Sequence, residues 1–317
     1  MSNKILLSIC IPTYNRADYL KKCLESVVSQ DAFNCNDIEV LISDNASKDA
    51  TERVARSFQG RFKNIRYIKN NINLDVERNI LNLLNNFQGD YFFLLCDDNI
   101  LLSGSLKILK KAIINNPDCS LFLSGYENYF EKQKRIGIHQ AFNESKKISK
   151  DNISDLVKIY YDSHLLSRMC LKRDFIDVEG FKRHIGSLYS HMYLVGFAAL
   201  NGTTYFIKEL LNRNMTENKY YWIYPDGQMM KARIKLLKDL RKFNKDFYER
   251  AKEKLITTIP GIVYASISKS YKNFLKLNLE ILSIPELRFN PKVWFLIVYG
   301  IGMKVYGFLL HQLIIKK

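Results

Sequence analysis

Asp97-Asp98-Asn99 follows directly on the run Tyr91-Phe92-Phe93-Leu94-Leu95-Cys96. Six apolar or aromatic residues in a row read as a strand covered on both faces. A buried strand cannot carry unpaired carboxylates, so the acidic pair belongs where the strand emerges, at its carboxyl end. In open α/β sheets that end is where ligands bind. Two carboxylates and an amide there form a set of hard oxygens suited to Mg2+ or Mn2+ on a diphosphate. The plainer reading is a strand followed by an Asp-rich turn. Two further polar clusters weigh against it, each following an apolar run: Pro12-Thr13-Tyr14-Asn15-Arg16 and Ser43-Asp44-Asn45-Ala46-Ser47. An aromatic ring, an arginine, an isolated carboxylate and an acidic pair on one rim suit a nucleotide. Tyr14 could stack on a base, Asp44 could accept from a base or ribose donor, and Arg16 could approach phosphate. Asn45 and Ser47 also read as ordinary turn and cap residues.

The elements that must position these clusters alternate. Strands are expected at 6–11, 38–42, 65–68, 91–96 and 120–124, with helices at 17–29, 49–58, 74–87 and 102–114 between them. In the first helix Leu20, Cys23, Leu24, Val27 and Val28 share one face. Repeated strand-helix units of this length predict an α/β fold with a doubly wound, mainly parallel sheet and helices on both faces. Past about residue 130 the rhythm fades. Residues 131–150 read as a loop or lid, 153–161 and 184–201 as helices, and 203–207 as a strand. From 226 onward the pattern is helical to the end, interrupted by Pro260, Pro285 and Pro291. The expected division is a first domain over 1–225, its acceptor side about 130–225, and a helical basic region over 226–317.

Composition narrows the class. The 317 residues are 47% hydrophobic and 25% charged, as in a globular protein. The six cysteines form no C-x-x-C pair and stand apart from any His cluster, which argues against zinc and for a cytosolic location. Against 32 Asp and Glu stand 48 Lys and Arg, a surplus of +16 that draws nucleic acid, anionic membrane or phosphate-bearing substrates. Nucleic-acid-binding motifs are missing, and the tail from Asn290 to Lys317 combines lysines with an apolar, aromatic run. A membrane surface is therefore favoured over nucleic acid. Val293 to Ile315 is long enough to consider as a span, but Lys304 lies in its middle, where a charge costs roughly 2.5–3.5 kcal/mol. An interfacial helix, or packing onto the protein or a second subunit as a homo-oligomer contact, are the other readings.

The stretches Ile9 to Arg16, Ile42 to Asp49 and Asp97 to Asn99 together resemble the family 2 glycosyltransferases, of the type acting in bacterial polysaccharide biosynthesis. The resemblance is strong over about residues 5 to 125, where Asn70, Asn71, Arg78 and Asn79 also match. It implies a GT-A fold and transfer of a sugar from a nucleotide-diphosphate donor, UDP-linked. The acceptor it implies is a hydroxyl of a lipid-linked or polymeric cell-surface glycan such as capsule or lipopolysaccharide. Pro12, Tyr14, Arg16, Asp44, Asn71, Arg78 and Asp97 would bind the nucleotide sugar, and Asp98 with Asn99 would hold the metal. Transfer would be inverting, with a general base among Asp177, Glu179 and His191. The protein would act peripherally at the inner face of the cytoplasmic membrane. Arg168, Arg173 and Arg183 read as surface arginines. A different class remains open: a non-catalytic nucleotide-sugar-binding or scaffold protein of a glycan-assembly complex. A nucleotidyltransferase would want a glycine-rich, lysine-containing loop after the first strand, which Pro12 to Arg16 is not.

Overall fold

The structure, a computed structural model, describes residues 4–34, 36–130, 135–216, 228–263 and 271–302. The chain forms two compact units, residues 1–219 and 220–317. The expected boundary at 225 falls among residues 217–227, outside the described ones, as do Cys35 and the tail from residue 303 with Lys304.

In the first unit, β1 (Leu7–Thr13), α1 (Ala17–Val28), β2 (Ile38–Asp44), α2 (Thr51–Gln59), β3 (Ile65–Lys69) and α3 (Val76–Asn86) come first. They lead into β4 (Tyr91–Leu94), β5 (Asn99–Leu101), α4 (Ser105–Asn115) and β6 (Cys119–Phe130). After these come β7 (Arg135–His139), β8 (Lys146–Ile148), α5 (Ile153–Asp162), β9 (Met169–Lys172), α6 (Val178–Arg183), α7 (Ser190–Asn201) and β10 (Thr203–Thr216). Among the described residues these strands build one sheet in the order β3-β2-β1-β4-β9-β6-β10-β5, with β7 on β6 and β8 on β10.

The strand pairings give the sheet its direction. β2 and β4 flank β1 in parallel, β3 follows β2, and β10 runs parallel to β6. β9 lies antiparallel to both β4 and β6, so β6 points the same way as β4. β1, β2, β3, β4, β6 and β10 therefore send their carboxyl ends to one rim, a mainly parallel sheet as expected. Burial explains why β1 and β2 read as continuous apolar runs: all seven residues of each are covered. Below them Leu20, Cys23, Leu24 and Val27 of α1 join one core with Ile9, Val40 and Phe93.

Three expectations change. Residues 131–150 contain β7 and β8 rather than a plain loop, each strand finding an antiparallel partner in β6 or β10. The helix expected over 184–201 starts at Ser190, because Gly186 (φ 90°) and Leu188 (φ 62°) are left-handed and interrupt it. The strand expected over 203–207 runs on to Thr216 and pairs with β5.

At the opposite, amino-terminal foot of the sheet, Glu39 is a buried carboxylate with its partners in place. Ser8 Oγ donates to Oε2 at 2.5 Å, the Gln88 amide donates to it at 2.9 Å, and Arg66 pairs with Oε1. Ser8 Oγ in turn accepts from the Gly89 amide at 2.8 Å. A Cβ on Gly89 would come within 2.8 Å of the Ser8 nitrogen and 3.0 Å of the Leu7 carbonyl carbon.

In the second unit, α8 (Gln228–Leu240) and α9 (Lys245–Ile256) bury Leu236, Leu237, Leu240, Phe247 and Leu255. Helices Tyr271–Ser283 and Pro285–Arg288 and helical residues 291–302 follow, in keeping with the helical pattern read from the sequence. Among the described residues no helix is long and apolar enough to cross a membrane. Cys10, Cys23, Cys96, Cys119 and Cys170 are free thiols.

Gly89→Ala forces backbone apart rather than a flexible side chain, so urea unfolding should show a loss of about 1–3 kcal/mol. An unchanged midpoint would contradict that close approach.

Candidate functional site

The loops after β1 and β2 are fastened together residue by residue. The Asn45 amide donates to the Thr13 carbonyl at 2.9 Å, and the Asn15 amide to Ser47 Oγ at 2.8 Å. The Lys48 amide donates to Asn15 Oδ1 at 2.8 Å, and the Arg16 amide to Thr51 Oγ1 at 3.1 Å. Asp49 Oδ2 accepts from the Ala17 amide at 3.2 Å. Asn15 (φ 50°) and Ala46 (φ 64°) take left-handed backbone to make these contacts. Ser47, Asp49 and Thr51 thus position the site; in the sequence they carry only a turn-and-cap signal. Tyr14 stands 40% exposed at the loop's tip. Pro12 is buried near the end of β1, opposite Ser43.

Asp44 is buried at the end of β2. Its Oδ1 accepts from the Ser47 amide at 2.8 Å and its Oδ2 from the Tyr67 hydroxyl at 2.7 Å. Burial and the Asp44 carboxylate push the Tyr67 hydroxyl well above its usual pKa, so Tyr67 stays a donor. Two of the roughly four lone-pair positions of the carboxylate are thereby used. Beside it runs an amide network. Asn79 Oδ1 accepts from Ser43 Oγ at 2.7 Å and Asn70 Nδ2 at 3.0 Å, and Asn45 Nδ2 donates to Asn73 Oδ1 at 2.8 Å. Asn71 is exposed on the loop before α3. Arg78 is exposed on the first turn of α3 and pairs with Asp75, which also caps that helix through the Arg78 amide at 2.9 Å.

The acidic pair converges on Arg16. A single nitrogen, Nη1, lies 3.0 Å from Asp97 Oδ1 and 3.0 Å from Asp98 Oδ2. Burial raises the Asp97 carboxyl to about 6; Arg16 opposes that rise and Asp98 reinforces it. Burial works against the charge on Arg16, yet the two carboxylates hold its pKa well above the usual value. Asn99 is hydrogen-bonded on both sides of its amide. Its Nδ2 donates to Asp98 Oδ1 at 2.8 Å and its Oδ1 accepts from Asn212 Nδ2 at 2.7 Å. The amide is buried and aims Asp98, with Asn212 reaching in from β10. Asn212 gave no signal in the sequence, because its strand was expected to end at 207.

Asp97 and Asp98 bring two carboxylate oxygens to one place, where the Arg16 guanidinium supplies the balancing charge. Mg2+ and Mn2+ are commonly held by one or two carboxylates with substrate phosphates completing the shell. Among the described residues no cluster of three or more His, Cys, Asp or Glu offers a fuller cage.

The general-base candidates fare differently. Asp177 caps α6, accepting from the Gly180 amide at 2.8 Å and from the Tyr193 hydroxyl at 2.6 Å. Glu179 is exposed on α6 and pairs with Lys182 at 2.7 Å. Both carboxylates are thus engaged in local contacts. His191 is buried on the first turn of α7, with Nε2 3.2 Å from the His164 carbonyl. The segment from His164 reaches the acidic rim three residues on, where Ser167 Oγ accepts from the Cys96 amide at 2.7 Å. Arg168 is buried, not at the surface: its Nε donates to the Ser124 carbonyl at 2.9 Å, it pairs with Asp162, and it lies 4.7 Å from the Tyr126 ring centroid. Glu77 was missed. This buried acid of α3 accepts from the amides of Gly186 at 2.5 Å and Ser190 at 3.1 Å, pinning the turn that leads into His191.

Sheet direction and rim chemistry define an α/β protein whose parallel strands present an aromatic, an arginine and paired carboxylates at a nucleotide-type rim. Residues 8–171 match the model of Glycosyl transferase family 2, and the chain belongs to that family. Over 118 residues it is 40% identical to abequosyltransferase RfbV of Salmonella typhimurium, a match covering 37% of this chain and 35% of the relative. Over 104 residues it is 36% identical to the GalNAc(5)-diNAcBac-PP-undecaprenol beta-1,3-glucosyltransferase of Campylobacter jejuni, covering 32% and 33%. The matches thus span about a third of each of these relatives. The S. aureus TarS 1-349 structure in complex with UDP-GlcNAc superposes with a TM-score of 0.63 at 13% identity, over 95% of this chain and 88% of that one. The Pyrobaculum calidifontis mannosyltransferase PcManGT, in complex with GDP-Man and Mn2+, gives a TM-score of 0.58 at 13% identity, over 96% and 88%. These likenesses establish the GT-A-like fold.

A carboxyl raised from about 4 to about 6 holds its proton in the folded chain after the unfolded chain has released it. Its contribution is therefore favourable below pH 4 and lost as pH rises through 6, a change of about 3 kcal/mol. Asp97→Asn removes that loss. In metal-free buffer the variant's Tm should exceed the parent's more at pH 7.5 than at pH 4.5; parallel curves would contradict the buried charge.

Proposed function

We propose that this protein transfers a sugar from a nucleotide-diphosphate sugar, UDP-linked, to a hydroxyl of a lipid-linked or polymeric glycan in bacterial cell-surface polysaccharide synthesis, capsule or lipopolysaccharide, with inversion. The observation that carries the reading is the meeting of three loops, bearing Tyr14 and Arg16, Asp44, and Asp97 with Asp98, on one rim inside the family-matched region. The UDP-GlcNAc and the GDP-Man with Mn2+ in the structural neighbours support a nucleotide sugar and a cation.

In this reading Tyr14 stacks on the base and Asp44 accepts from it with its remaining lone pairs. Asp98, with Asn99 beside it, would hold Mn2+ or Mg2+, and Asp97 would face the ribose or sugar. When bound, that ion supplies Lewis-acid stabilisation of the leaving diphosphate. Arg16 contributes a charge-assisted hydrogen bond to phosphate, and Asn99 with Asn212 keeps Asp98 aimed. His191 takes the proton of the acceptor hydroxyl, with its ring oriented by the His164 carbonyl 3.2 Å from Nε2. The working place is peripheral, at the inner face of the cytoplasmic membrane.

A second reading, a non-catalytic nucleotide-sugar-binding or scaffold protein, is favoured by one observation: Asp177 and Glu179 are both tied into local structure.

His191→Gln should lower transfer at least about 100-fold while the thermal shift on adding UDP-sugars persists. Asp98→Ala should lower transfer by a similar factor or more, with the metal-free Tm nearly unchanged. Full transfer by His191→Gln removes the base assignment, and full transfer by Asp98→Ala removes the metal role. Binding by the parent without transfer or donor hydrolysis, across a panel of nucleotide sugars, selects the second reading.

A further inference from the structure

Helical residues 291–302 have one side fixed against the second unit. Val293 and Ile297 are buried, and a Cβ on Gly300 would come within 3.0 Å of the Pro260 carbonyl oxygen and the Val263 side chain. The outward side is set by that contact. It carries Trp294, Phe295 (66% exposed), Val298 (65%) and Tyr299. A helix at a protein surface ordinarily turns polar residues to water, and single apolar residues there need no explanation. Four on one face are a patch. Phe289, 81% exposed, extends it, with Trp294 Nε1 donating to the Arg288 carbonyl next door at 2.7 Å. The Phe295 and Tyr299 rings stack at 6.3 Å between centroids.

Charge selects what would cover such a face. Residues 220–317 contain 18 Lys and Arg against seven Asp and Glu, which is 11 of the chain's net +16. Two copies brought together here would set +11 against +11, and like charge opposes that contact. An anionic surface is attracted instead. Tryptophan and tyrosine, apolar in body with one polar atom, favour a boundary between water and hydrocarbon. No described helix is long and apolar enough to cross a bilayer, which suits a helix lying along its surface.

We infer that Phe289, Trp294, Phe295, Val298 and Tyr299 form a docking face for an anionic lipid bilayer. Helical residues 291–302 lie flat in its interface, and the net +11 of residues 220–317 supplies the attraction. This deepens the peripheral membrane placement proposed above and rests on it. Phe295 and Val298 enter the acyl boundary, and Trp294 and Tyr299 sit at the headgroups.

Sedimentation of the full chain with phosphatidylglycerol/phosphatidylcholine vesicles, and with phosphatidylcholine vesicles alone, tests the inference. The parent should partition to the anionic vesicles and release as salt screens the charge. The Phe295→Glu/Val298→Glu variant should partition at least tenfold less with an unchanged Tm. Phe295→Ser alone stands in if that double variant fails to fold. Equal partitioning of parent and variant overturns the inference, as does parent binding that ignores lipid charge or is missing. A parent dimer that the variant turns into a monomer overturns it in favour of a second copy. The thermal shift with UDP-sugars, run on the same samples, is read separately. Its loss strikes the glycosyltransferase reading, whereas its persistence beside a negative vesicle result strikes only the docking face.

Discussion

The rim is organised around one guanidinium that neutralises two carboxylates at the exit of a buried strand. Asp97 is almost fully covered, and an unpaired charge there would cost several kcal/mol. Arg16 can reach it only because β1 lies beside β4 in parallel register and the loop after β1 is held by the loop after β2. Asp98 depends on a different part of the chain, the amide bridge from Asn99 to Asn212 on β10. Sheet order, loop fastening and the reach of β10 together bring that cluster into being.

The two ends of the sheet handle charge in opposite ways. At the foot, Glu39 is met by Ser8, Gln88 and Arg66, a set complete within the protein. Between β2 and α3 the Ser43, Asn70 and Asn79 set is made of amides and a hydroxyl, which add no charge of their own. At the ligand rim two carboxylates share one cation and Asp98 is partly open. Of these three sets, only the rim leaves a charged group partly open to solvent while two like charges share one partner.

Much of this was legible because parallel strands buried on both faces write themselves as apolar runs, each ending in a polar cluster. β1, β2, β4 and the clusters after them could be read residue by residue. β9 could not: Met169-Cys170-Leu171 is too short a run to signal a strand, and nothing local says that it inserts antiparallel between β4 and β6. The second half of β10 is polar, so Asn212 was out of view. Asp177 shows the limit for single residues, since an aspartate before a short helix looks the same whether it caps the helix or moves a proton. Burial and hydrogen-bond partners separate those roles. For Asn99 likewise, the Asp98 and Asn212 partners of its amide are a tertiary fact that no local pattern shows.

Asn15, Ala46, Asp75 and Leu188 hold left-handed backbone, and all four lie in the turns gathered around this rim. Such conformations cost of order 1 kcal/mol each for residues other than glycine. For Asn15 and Ala46 that cost is offset by the hydrogen bonds that fasten their turns, from the amides of Asn45, Asn15 and Lys48, so an alanine at Ser47 would leave strained backbone with one restraint fewer.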